Sequence, residues 1–170
     1  MNMKTTIVCV LIMLASSTAI WAQKFGITFA YSTENVLSVD FFRALEKNRF
    51  HFGVAYQSGG QLSTVVEERE ANYGLTEIDD GKFFWSIDLG YSRVFLGGVS
   101  INPEFSFGTE KQFTNYRDNR FKDNGYSLVT DKGNVVGLGL NLGYKIGSML
   151  EPILGYHTMK GANFGLRVAF

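Results

Sequence analysis

The 170 residues carry a formal net charge of zero, a length for one domain with no electrostatic footprint for nucleic acid. Gly is abundant at 19, aromatics reach 15% and prolines number two, a balance that favours strands over helices. The only cysteine is Cys9, so the chain beyond it offers no disulfide, thiolate metal site or cysteine nucleophile.

Residues 1–22, MNMKTTIVCVLIMLASSTAIWA, have the plan of a cleaved secretory signal peptide. Lys4 supplies the positive start, Ile7 to Leu14 the apolar stretch, and small residues precede candidate cuts after Ala19 or Ala22. The apolar stretch is shorter than the roughly 20 residues of a spanning helix. Cys9 lies inside it, away from any lipoprotein-type cleavage point. The remaining domain, 23–170, has no apolar run of helix-spanning length, so a membrane-embedded chain must span as a barrel.

From Lys24 onward the hydrophobic period is two. KFGITFAYS sets Phe25, Ile27, Phe29 and Tyr31 against small residues. NVLSVDFFRA continues with Leu37, Val39 and Phe41 against Ser38 and Asp40; a short amphipathic helix with Val39, Phe42 and Leu45 on one stripe is the alternative for residues 35–46. RFHFGVAYQ and KFFWSIDLGYS follow, with Phe50, Phe52, Val54 and Tyr56, then Trp85, Ile87, Leu89 and Tyr91, on the apolar face. GVSINPEFSFG, NVVGLGLNLGYKI, LEPILGYHT and ANFGLRVAF complete eight segments. Each suits a tilted transmembrane strand, which needs about 9–11 residues. Connections alternate between short turns (LEKN, RVFLG, GSM) and the opposite ends, which carry long loops at 58–81 and 109–133. That asymmetry fits an outer-membrane barrel.

Alternation alone does not tell lipid outside from lipid-like core inside. The second face decides, being rich in Gly, Ser, Ala, Thr and Asn and poor in charge. A solvated face would carry more Lys, Glu and Arg, whereas small residues suit the lumen of a narrow barrel. Aromatics also sort by depth. Tyr31, Tyr56, Trp85, Phe107 and Tyr156 fall at one set of strand ends, and Phe41, Phe50, Tyr91, Tyr144 and Phe170 at the other, as interfacial belts would.

With its leader, eight amphipathic strands and final FGLRVAF, the chain resembles the small OmpA/OmpX-type outer-membrane β-barrel proteins of Gram-negative bacteria. The resemblance implies an all-β, eight-stranded, antiparallel up-and-down barrel in the bacterial outer membrane, bathed in outer-membrane lipid and lipopolysaccharide. It also implies that Phe164, Leu166, Val168 and Phe170 form the insertion signal read by the barrel-assembly machinery.

By parity the inner face takes Asp40, Asp88, Glu104, Lys145, Glu151, His157 and Arg167. Buried charges must pair, so these are expected to form a lumen polar network, and an eight-stranded barrel is just filled by side chains. Catalysis has little footing. The lipid A deacylase family of small outer-membrane barrels places a catalytic Ser two residues after a His; here His157 is followed at that distance by Met159, which is no nucleophile. GLGLNLG lacks the G-x-G-x-x-G spacing and a following helix. No cofactor or metal site is expected, and the acidic VVEERE and EIDD runs lack calcium-loop spacing. The loop at 109–133 mixes Phe113, Tyr116 and Phe121 with Arg117, Arg120 and Lys122, a composition of recognition surfaces, though strand extensions closed near Asn124-Gly125 would read the same way. The expected function is a non-enzymatic outer-membrane protein, structural or surface-binding through its loops toward an unidentified extracellular ligand. A lipid-modifying enzyme and a secreted soluble lipophile carrier are the alternatives.

Overall fold

The computed structural model describes residues 24–67 and 76–170. Residues 1–22, where a leader is expected, and Glu68, Arg69 and Glu70 of the acidic run lie outside the described residues. Among those described, the chain forms β1 (Lys24–Ser32), β2 (Val36–Leu45), β3 (Asn48–Gln57), β4 (Val65–Val66), β5 (Thr76–Val94), β6 (Val99–Arg117), β7 (Gly125–Tyr144), β8 (Leu150–His157) and β9 (Gly161–Ala169).

Eight of these strands close into a ring of antiparallel neighbours, β1–β2–β3–β5–β6–β7–β8–β9, with β9 returning to β1. Closure removes the raw edges that an open sheet would present. The segment at 35–46 is a strand. It pairs along β1 on one side and β3 on the other, hydrogen bonds that a helix there would forfeit.

The two faces differ as the alternation implies. Phe29 is 49% exposed and Leu140 52% exposed, on the outside of the ring. The inside holds Ser86, Ser92, Ser100 and Ser106, all at 0%. Both aromatic sets face outward, and the register places Tyr31, Leu37, Tyr56 and Trp85 in one lateral row. Such an apolar belt has no soluble counterpart, because a lipophile carrier needs its apolar face inward.

The long connections depart from a pure loop reading. Thr76–Gly81 is strand, as are residues 109–117 and 125–133. These stretches lack an apolar face, so their pairing is not visible as periodicity. Cross-strand polar pairs hold them instead: Thr114 Oγ1 donates to Asp80 Oδ1 at 2.6 Å, and Asn115 Nδ2 to Asp79 Oδ1 at 2.7 Å. The connection back from β6 turns through Asp123 (φ 63°) and Asn124 (φ 56°), residue types that tolerate the left-handed region.

Candidate functional site

The lumen is packed with polar side chains in two clusters. Toward the long-loop end, Lys160 Nζ donates to Asp88 Oδ2 at 2.7 Å and to Glu104 Oε1 at 2.6 Å. Ser86 and Ser106 hydroxyls donate to Asp88 Oδ1 at 2.9 and 2.5 Å. His157 accepts the Met159 N–H on Nδ1 at 3.1 Å, leaving Nε2–H to donate to Ser106 Oγ at 2.9 Å. Toward the short-turn end, Glu151 accepts from Arg49, from Arg167 Nη1 at 2.5 Å and from Ser100 Oγ at 2.5 Å. The Arg49 and Arg167 guanidiniums each lie 5.6 Å from the Phe42 ring centre.

Of the residues singled out from sequence, the structure brings Asp88, Glu104 and His157 together, and Glu151 with Arg167. Asp40 is buried, but its Oδ1 lies against Gly53 without a hydrogen-bond partner. Lys145 is half-buried at the short-turn mouth and makes no ion pair among the described residues. Three members were missed. Arg49 and Phe42 sit on inward positions of their strands. Lys160 comes from the turn after β8, where alternation gives no face, and bends into the lumen at 3% exposure.

Ser106, His157 and Asp88 are the residue types of a hydrolase triad, yet their wiring is wrong for one. The serine proton goes to the carboxylate instead of the imidazole, and all three are sealed, at 0, 1 and 2% exposure. A nucleophile needs its hydroxyl on the base and open to substrate. The arrangement fills the lumen.

The second feature is a raised sheet. β5, β6 and β7 continue past the ends of β3 and β8, paired with each other up to Thr76↔Arg117 and Arg117↔Gly125. The segment 58–66 straps across it. Asn115 Nδ2 donates to the Gly60 carbonyl at 3.2 Å, and the Leu62 N–H to Ser127 Oγ at 2.8 Å. The strap ends as β4, parallel to Ser127–Leu128 of β7. Along β6, Phe113 and Asn115 share the side of Phe107, so the strap folds over the outer side of the sheet. Gly59 meets the Lys82 carbonyl so closely that a Cβ would lie 1.9 Å from it. Just past the strap, Lys111 donates to Glu67 at 2.8 Å, and this bond holds the Glu67 carboxyl below the usual carboxylate range.

This placement divides the aromatic–cation loop. Phe113 and Tyr116 are buried, Tyr116 stacking on Tyr126 with ring centres 5.4 Å apart. Phe121 is half-buried against Tyr126 at 5.2 Å. Arg117, Arg120 and Lys122 are exposed, Arg120 pairing with Asp118 at 2.6 Å. Between Val129 and Val136 β7 pairs with β6 on one side, and among the described residues no strand pairs with its other edge.

No family model matches the sequence, and no curated protein matches it. Solved structures do. Ail, the attachment invasion locus protein of Yersinia pestis, aligns with a TM-score of 0.52 at 13% identity, covering 87% of this chain and 96% of Ail, in its complex with the heparin analogue sucrose octasulfate. Ail by itself gives the same score at 12% identity. Neisserial surface protein A aligns more loosely, with a TM-score of 0.41 at 13% identity over 87% of this chain and 94% of its own. In fold, this chain is an eight-stranded antiparallel β-barrel similar to that of Ail.

Proposed function

We propose that the chain is a non-enzymatic outer-membrane barrel that binds an external partner through its raised sheet. The observation that carries this reading is the rise of β5, β6 and β7 beyond the ring, with the β7 edge from Val129 to Val136 unpaired among the described residues. An open strand edge takes an extended polypeptide by main-chain hydrogen bonding. The sealed lumen supports a binding role over a transport or catalytic one.

Ail binds a sulfated ligand, but charge does not favour the same ligand here. Around the raised sheet Glu67, Glu77, Asp79, Asp80, Glu110, Asp118, Asp123 and Asp131 outnumber Lys82, Lys111, Arg117, Arg120, Lys122 and Lys132. An extended protein segment suits this mixed surface better than a polyanion. Lipid and lipopolysaccharide would surround the apolar belt. Phe164, Leu166 and Phe170 lie exposed on it, with half-buried Val168 on the same side, where the assembly machinery would read them.

The test replaces residues 110–133 by an Asn-Gly turn between the paired Thr109 and Asn134, which takes away the strap anchor and most of the free β7 edge and leaves the ring strands whole. The shortened protein is expected to keep heat-modifiable gel mobility and to lose adhesion to protein-coated surfaces. Adhesion equal to that of the intact protein would refute the reading. A lipid A mass change that depends on the gene would favour the enzyme alternative.

A further inference from the structure

We infer that the short-turn mouth of the barrel is a binding site for a small oxyanion, phosphate or carboxylate. It lies at the end opposite the raised sheet and does not depend on the surface-binding reading.

The argument begins with charge. Glu151 is shared by two guanidiniums, Arg49 and Arg167, so the cluster keeps one positive charge in excess. Its third hydrogen bond comes from Ser100. Arg167 is 1% exposed, and its Nη2 has no partner. A buried unpaired donor on a cation is costly, and no carboxylate hydrogen-bonds to it. Asp40 lies one strand away across Thr28, by the register Thr28↔Asp40 and Thr28↔Arg167, and makes no hydrogen bond to it.

Space sits where the charge is. A niche of about 10 Å³ is lined by Arg49, Arg167, Glu151 and Lys145, room for one water or one ligand oxygen. A cavity of about 190 Å³ shares Phe42, Arg49, Lys145 and Ser148 with it and adds Lys47 and Glu46 at the rim. Lys145 and Lys47 make no ion pair among the described residues, so Glu46 is the one carboxylate added against two cations. Phe42 forms an apolar wall beside both guanidiniums. An oxyanion seated here would put one oxygen toward the Arg167 and Arg49 guanidiniums, in charge-assisted bonds. Lys145 and the Ser148 hydroxyl would take the rest.

The test uses the refolded barrel in zwitterionic micelles. Its urea unfolding midpoint is followed in sodium phosphate, sodium acetate and sodium chloride at matched ionic strength, and in micelles doped with phosphatidic acid. Phosphate is expected to raise the midpoint saturably, with chloride inert, and Lys145→Gln to weaken the apparent affinity about tenfold, the equivalent of about 1.4 kcal/mol. Lys145 is half-exposed and outside the buried ion pairs, so the variant should fold. Glu151→Gln, where it folds, should tighten phosphate binding, since it removes the competing carboxylate. A shift with free phosphate or acetate assigns a soluble ligand, and one with phosphatidic acid alone assigns a lipid headgroup. No saturable shift in any arm, or one that Lys145→Gln leaves unchanged, overturns the site.

Discussion

A single lysine from a tight turn holds the upper lumen together. Lys160 bridges Asp88 and Glu104, and removing one partner of a buried pair costs more than the pair itself contributes. Lys160→Met is therefore expected to lower the unfolding free energy by about 3–5 kcal/mol, read from urea unfolding in micelles. The side of the sheet that Asp88 or Arg167 takes is legible in the alternation of their strands. Their partners are not. Arg49 sits on an inward position beside His51 but is masked by the aromatic run around it. Lys160 carries no signal at all, because a turn residue has no parity and its reach depends on three-dimensional closure. Phe42 breaks the small-residue rule of the inner face, and only the two guanidiniums beside it explain an aromatic there.

At the scale of the strand, small residues set how closely the walls approach. A Cβ on Gly139 would lie 2.5 Å from the His157 ring, which is fixed by hydrogen bonds at both nitrogens. Gly139→Val is expected to cost about 1–3 kcal/mol as overpacking, again by urea unfolding, with outward-facing Leu138→Val costing less. The raised parts of β5, β6 and β7 are a different kind of strand. Their sequences, TEIDDG and SLVTDKGN, read as loop because a strand with water on its faces need not alternate. The strap depends on one side chain above all, since Asn115 bonds Gly60, Asp79 and Ser127. Asn115→Leu would strand those groups and free the strap. The expected result is faster protease cleavage within 58–67 while the ring fragment stays intact.

The whole molecule is an inverted globule, apolar outside and polar within. That inversion was readable in advance from the poverty of charge on the second face, as was the ring of eight strands from their length and spacing. The height of the raised sheet was not, since nothing in a polar loop announces the partner it will pair with. Leu140 lies on the outer face beside Pro103 and Tyr156. Leu140→Arg should cost about 2–4 kcal/mol if that position lies near the bilayer midplane, measured by unfolding from lipid vesicles. With the lumen closed by both charge clusters, vesicles carrying the protein are expected to retain a trapped dye as well as empty vesicles do. Rapid leakage would contradict the sealed interior.

The join between β1 and β9, which matches Gly26 with Ala169 and Ser32 with Asn163, unites opposite ends of the described chain. Neighbouring hairpins can zip from their own turns, but this seam must wait until both flanks have arrived. Until then two bare strand margins stay adhesive toward any other chain, and contacts so distant in sequence form slowly. The half-built cylinder is therefore the molecule's vulnerable moment.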